Sequence, residues 1–361
     1  MKIAYIFGSL NHGGIETLYL DLFKNKDSIP YDFICIHRKK GTLLKEYYKT
    51  GIDIRPLPCK HFLSIGYIFR LRKFLAKNNI DIVHTQMAED TIMVKLATIG
   101  RKIDTVQTVH AFDFGLPWYA KRYLQWTFKH NKKTLFVTNF QHKHYQEYYK
   151  LPKDKTMTLH NCISFSKIEG PLQKELPRHY DGYRFGMVGN FCSARNHLAV
   201  CKALLKFAQY NKEFDFYFVG RKEEDEPEVY NNCVQFCMDN GLGSNVHFLG
   251  MRPDVPGILK QLDCFVYSTI HDTFAISVLE AMATGIPTIV NDWPVLSEIT
   301  DSGRFATLFR SNDSDDLCIK LLEFVEHMEE RKTMAKNQVE DIRKKYGIEH
   351  YLNSLNDVYV S

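Results

Sequence analysis

Between Leu262 and Ser297 the chain runs LDCFVYSTIHDTFAISVLEAMATGIPTIVNDWPVLS, and this stretch limits the fold more than any other. Leu262 to Ser268 is apolar and β-rich, and short enough to be a buried strand. A loop follows, then Ile276, Leu279 and Ala283 at helical spacing, with Gly285 and Pro287 acting as a C-terminal stop. Pro287 to Val290 reads as the next strand. The unit is strand, loop, helix, strand, and its loop falls at the carboxyl end of a strand, where open α/β sheets take their ligands.

The same alternation recurs along the chain. Short apolar runs expected as strands begin near Lys2, Tyr31, Ile52, Asp81, Asp104, Thr134 and Met157. A second set begins at Tyr183, Asp215, Asn245, Leu262, Pro287 and Ala306, with helical segments between most of them. Strands separated by helices at this spacing give mostly parallel, doubly wound sheets. A chain of 361 residues is long for one core, so two domains are expected. Residues 166–182 carry prolines and charges without periodicity and are read as a linker. The expected division is a first domain over 1–165, a second over 183–345, and a final amphipathic segment over 346–361.

Several residues in these elements suit the binding of an anion. Gly13 and Gly14 stand where strand one passes into a helix, and Gly186 and Gly189 occupy a similar position in the second half. Glycine lets backbone approach a phosphate closely, and free helix amides with the helix dipole attract negative charge. Arg195 lies just before the next helix, with a guanidinium able to grip phosphate in bidentate fashion. The spacing is neither G-x-G-x-x-G nor a P-loop, which argues against a dinucleotide dehydrogenase or a nucleoside triphosphatase. Asp272 and Glu280 lie eight positions apart, about 12 Å along a helix. They are too far apart for a paired-acid site and suited to the two ends of an elongated ligand. The amides of Phe274, Ala275 and Ile276 between them would face a phosphate. His84 and His110 each end an expected strand. Asp113 is a loop acid beside His110.

D-x7-E followed by A-M-A-x-G-x-P resembles the E-x7-E signature of retaining glycosyltransferases of family 4 (glycosyl transferases group 1), which have the GT-B fold. G-G-x-E at Gly13 to Glu16, T-V-H-A-F around His110, and the G-x-F-x-x-x-[RK]-N-H pattern from Gly189 are similar to other motifs of that family. The resemblance implies two Rossmann-like domains facing across a cleft. The first acid, here Asp272 in place of Glu, would reach the donor sugar, and the following amides the diphosphate. Glu280 would hold the nucleotide ribose, and Leu249 and Gly250 would lie by the base. His110 would contact the transferred sugar from the acceptor side. Arg195 would bind the diphosphate together with a second cation, for which this chain has Asn190. The expected donor is a UDP-, GDP- or ADP-linked sugar, and the expected acceptor a glycan or a lipid-linked sugar, in bacterial surface polysaccharide synthesis. Other readings of the same features are a nucleotide-sugar epimerase or hydrolase and a non-catalytic sugar-nucleotide-binding subunit.

No metal or other cofactor is expected. Asp313-Ser-Asp315 has D-x-D form but sits where aspartates cap helices, and His142 and His144 point to different faces. The nine cysteines contain no C-x2-C pair, and no apolar run approaches the roughly 20 residues that span a bilayer. A cytoplasmic chain with reduced thiols is expected. Residues 1–165 hold 26 Lys and Arg against 13 Asp and Glu, and the remainder 21 against 29. The basic half, in which cations alternate with aromatics as in WYAKRYLQWTFK, suits an anionic surface such as the inner face of the plasma membrane. Nothing in the chain resembles a nucleic-acid-binding motif.

Overall fold

The computed structural model describes residues 1–170 and 174–360, and they form two compact units. Unit 1 is Met1–Ile163 with Ile348–Ser361, and unit 2 is Ser164–Gly347.

Unit 1 contains strands β1 (Lys2–Ser9), β2 (Asp32–Lys39), β3 (Asp53–Pro56), β4 (Ile82–Thr85), β5 (Asp104–Val109), β6 (Lys133–Phe136) and β7 (Thr156–Thr158). Its helices are α1 (Gly14–Lys24), α2 (Leu44–Lys49), α3 (Ile65–Lys77), α4 (Ala88–Thr98), α5 (Trp118–His130) and α6 (Asn139–Tyr149). The sheet order is β3-β2-β1-β4-β5-β6-β7, and every pairing is parallel. After β3 the chain crosses back to the other side of β1, so the strand order reverses between β1 and β4, the place where such sheets leave a crevice. Alternating residues of β1 serve opposite layers: Tyr5 and Phe7 pack in the cluster with α1, and Ala4 and Ile6 in the cluster with α3 and α4.

Unit 2 contains α7 (Phe165–Ile168), β8 (Tyr183–Val188), α8 (His197–Phe207), β9 (Phe214–Val219), α9 (Pro227–Asp239), β10 (Val246–Phe248), α10 (Val255–Leu259) and β11 (Cys264–Tyr267). It continues with α11 (Ile276–Ala283), β12 (Thr288–Asn291), α12 (Pro294–Ile299), β13 (Thr307–Phe309), α13 (Ser314–Glu326) and α14 (Met328–Tyr346). The sheet order β10-β9-β8-β11-β12-β13 reverses between β8 and β11. All residues of β9 and β11 are buried, which is why their sequences, apart from Asp215 in β9, read as apolar or aromatic runs instead of alternating.

Several elements are shorter than periodicity suggests. The strand expected over Asp104 to Phe114 stops at Val109, and the one expected over Met157 to Ile163 stops at Thr158. The first run continues into a loop that buries Phe112 and exposes Phe114, and the second keeps one bond to β6, from the Leu159 amide to the Phe136 carbonyl, before leaving the sheet. The segment read as a linker is stitched to unit 2: Ile168 and Leu176 are buried, and the Tyr217 hydroxyl donates to the Pro177 carbonyl. Positions 171–173 of that segment lie outside the described residues.

The final helix, α15 (Ile348–Val360), returns to unit 1. Tyr351, Leu352, Leu355, Val358 and Tyr359 sit in the core cluster with Tyr5 and Tyr19. There the Tyr359 hydroxyl meets His84 Nδ1 at 2.5 Å and the Tyr5 hydroxyl at 3.0 Å, while His84 Nε2 meets Thr108 Oγ1 at 2.8 Å. His84 is therefore a satisfied core residue, not a site residue. Burial, with a smaller contribution from His110, pushes its pKa down to about 3.

Tyr359→Phe leaves a buried His84 nitrogen without its partner and should cost about 1–3 kcal/mol of stability, read as a lower melting temperature. A free imidazole titrates near 6.5, so the unfolded chain binds a proton that folded His84 refuses. Its contribution is complete above that pH and is lost at up to about 1.4 kcal/mol per unit as pH falls toward 3. Melting curves between about pH 7.5 and 5.5 should show a shallower acid loss for His84→Gln than for the wild type.

Candidate functional site

In unit 2 the two loops that flank the sheet reversal carry most of the residues singled out from sequence. One runs from β8 to α8 and holds Gly189, Asn190, Arg195 and Asn196. The other runs from β11 to α11 and holds Asp272, Phe274 and Ala275. They are joined by an antiparallel bridge between Arg195 and Thr269, by the Asn196 amide donating to the Ser268 carbonyl at 3.0 Å, and by the Thr269 hydroxyl donating to the Ala194 carbonyl at 2.6 Å. Asn291, at the end of β12, grips both backbone groups of Thr269. The carboxyl edge of this sheet is thus a fixed polar platform.

Asp272 is the hub of that platform and is nearly buried, at 9% exposure. Its Oδ1 accepts from the backbone amides of Thr273 at 2.7 Å and of Phe274 and Ala275 at 3.2 Å each. Its Oδ2 accepts from the Tyr267 hydroxyl at 2.6 Å and pairs with Arg195 Nη1 at 2.9 Å. This corrects the expectation that the amides of Phe274 and Ala275 are open to a phosphate. Asp272 is two to three residues upstream of them, the offset at which a short carboxylate folds back as an Asx cap. Ala275 adopts φ 40 and ψ 63, the left-handed region that glycine enters freely and alanine enters at a cost. The turn is held there by the amides locked to Asp272. Ile276 opens α11, and Ser277 anchors it through a hydrogen bond to the Val188 carbonyl at 2.9 Å.

Arg195 lies over the Tyr267 ring, 5.3 Å from its centroid. Burial disfavours its charge, but Tyr267 and Asp272 outweigh this and hold the guanidinium firmly protonated. Its Nε is buried without a hydrogen-bond partner among the described residues. A Cβ placed on Gly189 would stand 3.4 Å from that nitrogen, and one on Gly220 would fall 2.0 Å from the Gly189 carbonyl oxygen. Glycine at 220 is required by this close approach of two backbones beside the arginine. The neighbouring His197 stacks on Phe191 with centroids 4.1 Å apart, and burial pushes its pKa down to about 3.

Asn190 does not leave its position without a cation nearby. Its Oδ1 accepts from the Arg221 amide at 3.1 Å and its Nδ2 donates to Glu223 at 2.7 Å, while Arg221 Nη2 holds Glu223 at 3.0 Å. Sequence reasoning missed Arg221 because it follows β9, far from residue 190 along the chain. Only the parallel pairing of β8 with β9 brings the two together. Leu249 and Gly250 close the same edge: the Gly220 amide donates to the Gly250 carbonyl at 3.0 Å, and Gly250 has φ 66.

Glu280 faces a different partner. Its carboxylate pairs with Lys167 Nζ of α7 at 3.1 Å, so the two acids of the D-x7-E pattern stand in separate ion pairs. Asp313 caps α13 through the amides of Asp315 and Asp316, which accounts for the D-x-D pattern.

In unit 1, Gly13 is the N-cap of α1 and Gly14 its first residue, with no side-chain cap. A Cβ on Gly13 would lie 2.5 Å from the Glu16 carboxylate, which curls over the helix start. His110 follows β5, and its Nε2 meets Gln86 Oε1 at 2.8 Å. Burial pushes the imidazole down to about 3, so it stands neutral with Nε2 donating to Gln86. Asp113 is enclosed by the Tyr149 hydroxyl and His144 Nε2, both at 2.7 Å. Burial works against its charge, but these donors prevail and hold the carboxyl below its usual range.

Comparison with known proteins agrees with this layout. Residues 12–167 match the family described as Glycosyltransferase Family 4, and residues 182–327 match Glycosyl transferases group 1. The chain is 25% identical to the UDP-Gal:alpha-D-GlcNAc-diphosphoundecaprenol alpha-1,3-galactosyltransferase of Escherichia coli, with 100% of this chain and 97% of the relative covered. It is 23% identical to the capsular polysaccharide biosynthesis glycosyltransferase CapH of Staphylococcus aureus, over 78% of each. Among solved structures, a glycosyltransferase from Rickettsia africae ESF-5 superposes with a TM-score of 0.86 at 19% identity, covering 99% of this chain and 97% of that one. Anabaena HepE in complex with UDP and glucose superposes with a TM-score of 0.85 at 14% identity, covering 100% and 99%.

The two acids should respond differently to truncation. Asp272→Ala strands a buried guanidinium and three amides and should cost about 3–5 kcal/mol. Glu280→Ala breaks a more open pair and should cost about 1 kcal/mol or less. Chemical denaturation of unit 2, followed through Trp293, whose Nε1 donates to the Asp272 carbonyl, measures the contrast.

Proposed function

Because this chain belongs to the GT-B glycosyltransferases, with a family 4 match over 12–167 and a group 1 match over 182–327, we propose that it transfers a sugar from a nucleoside-diphosphate sugar with retention of configuration. The observation that carries this reading is Arg195, whose buried Nε has no partner at the sheet reversal of unit 2, where phosphate-bearing ligands bind. A buried N–H without an acceptor is costly, and a phosphate oxygen would satisfy it. In the transfer the anomeric carbon–oxygen bond to the diphosphate breaks and a bond to an acceptor hydroxyl forms. The acceptor proton passes to the departing phosphate. Arg195, with Arg221 nearby, stabilises the charge that develops on that leaving group. Asp272, whose oxygens are taken up by three amides, Tyr267 and Arg195, orients Arg195 and the α11 turn beside the donor sugar. Glu280 holds the ribose and Lys167 positions Glu280. His110, neutral and held by Gln86, is the acceptor-side contact. The chemistry uses no metal.

UDP is the favoured nucleotide, because the full-length Escherichia coli relative is named for UDP-Gal and Anabaena HepE binds UDP. The relatives named for capsule and O-antigen synthesis favour a glycan acceptor, and the Escherichia coli relative named for a diphosphoundecaprenol-linked sugar favours a polyprenyl-diphosphate-linked one. Such an acceptor is membrane-bound, and unit 1 offers a surface for the bilayer. Trp118, Tyr119 and Tyr123 of α5 are exposed beside Lys121 and Arg122, and Ile65 and Phe69 of α3 are exposed beside Arg70. Both helices pack against α4, so these groups share one side of the sheet. Among the described residues no helix is long and apolar enough to cross a membrane, so contact would be interfacial, with the cytoplasmic face of the plasma membrane as its place.

Incubation with UDP-, GDP- and ADP-sugars and a polyprenyl-diphosphate acceptor should give product from one UDP-sugar, with the donor's anomeric configuration kept in the proton NMR spectrum. Arg195→Ala should lower kcat by about 10²–10³-fold, with Arg195→Lys intermediate. Full activity in Arg195→Ala, or an inverted product, would overturn the proposal. Sedimentation with anionic vesicles should retain the wild type and lose a Trp118→Ala/Phe69→Ala variant.

A further inference from the structure

At the opposite, amino edge of the unit 2 sheet, three side chains converge that the transfer chemistry does not use. His179 precedes β8, Asp215 is the second residue of β9, and His247 lies in β10. One ligand atom from each lies within 4.8 Å of the other two. From these three residues we propose a binding site for a divalent transition-metal ion of the zinc class, separate from the transfer site.

The geometry is that of a ligand set. His247 Nε2 is 2.7 Å from Asp215 Oδ1, and His179 Nδ1 is 3.6 Å from the same oxygen. Ligands bound at about 2.0–2.1 Å in a tetrahedron stand roughly 3.3 Å apart, so these spacings bracket the edge of such a polyhedron. The two imidazoles lie face to face, with centroids 4.4 Å apart and planes 18° from parallel, so binding one ion in the plane of both rings requires the half-exposed His179 ring to turn. The second carboxylate oxygen, Oδ2, is tied by the amides of His179 at 3.1 Å and Tyr180 at 3.2 Å. That is the outer-shell support that fixes a ligating carboxylate.

Charge points the same way. Asp215 is fully buried, and a buried carboxylate requires a cation or dense hydrogen bonding. Its contacts here are two amides and two imidazoles, and a divalent ion would add a full positive charge to them. Two imidazoles and a carboxylate suit Zn²⁺, with Co²⁺ as its spectroscopic substitute. Three protein ligands leave one position to water, on the side where His179 is half exposed.

The ion would tie the segment entering unit 2 to β9 and β10, and so stabilise the sheet. From Asp215 to the loop at Gly220 is about 16 Å of extended strand, too far for the ion to touch the transferring groups. Separations of 36 and 32 residues between successive ligands explain why no spacing motif announces the site.

The test uses full-length protein, freed of any histidine tag and stripped with chelator, titrated with Zn²⁺ by calorimetry and with Co²⁺ by visible absorption. We expect one equivalent bound, d–d bands of a low-coordinate Co²⁺ site, a melting temperature raised by several degrees, and binding that weakens at acid pH as protons compete for the imidazoles. His179→Ala, at a half-exposed position that tolerates truncation, should keep its fold and transfer activity while losing at least about tenfold in affinity. Asp215→Asn should abolish the Co²⁺ bands. Equal Zn²⁺ affinity in wild type and His179→Ala, or no cobalt spectrum in the wild type, would overturn the proposal whatever the enzyme's transfer activity.

Discussion

The structure of unit 2 depends on a single carboxylate. Asp272 joins three backbone amides at the start of α11 to the Tyr267 hydroxyl and the Arg195 guanidinium. Each partner comes from a different part of the reversal between β8 and β11. A charge this deeply placed is tolerated because five donors satisfy it. In return it fixes the left-handed turn at Ala275 and the direction of the arginine. The loops that would meet a ligand are therefore positioned before the ligand arrives, which is the condition for electrostatic stabilisation without reorganisation.

This arrangement separates two roles that short acidic side chains can play. An aspartate reaches its own helix amides more readily than a glutamate, whose extra methylene carries the carboxylate outward. With Asp at position 272, capping and pairing absorb both oxygens, and Arg195 Nε is left as the buried donor without an acceptor. An anion at this edge would meet the arginine, with Arg221 placed beside Asn190 by the pairing of β8 and β9. Glu280, one helix away, is oriented instead by Lys167.

The sheet of unit 2 carries a different polar cluster at each of its edges. In unit 2 the carboxyl edge gathers glycines, amides and arginine, and the amino edge gathers His179, Asp215 and His247. Parallel strands make this segregation natural, since every loop at one edge follows a strand and every loop at the other precedes one. In unit 1 the corresponding polar interior is the His84, Tyr359 and Tyr5 network, where hydroxyls tie α15 to the sheet.

The sequence alone determined the doubly wound architecture, the place of most strands and helices, and the glycine loops, Arg195, Asp272 and Glu280 as residues of interest. Each of these is written in local periodicity, in helix stop signals or in spacing along one element, which need no knowledge of distant contacts. Only the tertiary structure decided that Arg195 closes on Asp272, that His84 is a core residue bonded to Tyr359, that Arg221 stands beside Asn190, and that His179, Asp215 and His247 meet. Those outcomes turn on which strands lie side by side and on which donor reaches a buried acceptor first. Both are set by sheet order and packing across tens to hundreds of residues, and neither leaves a trace in any short window of the chain.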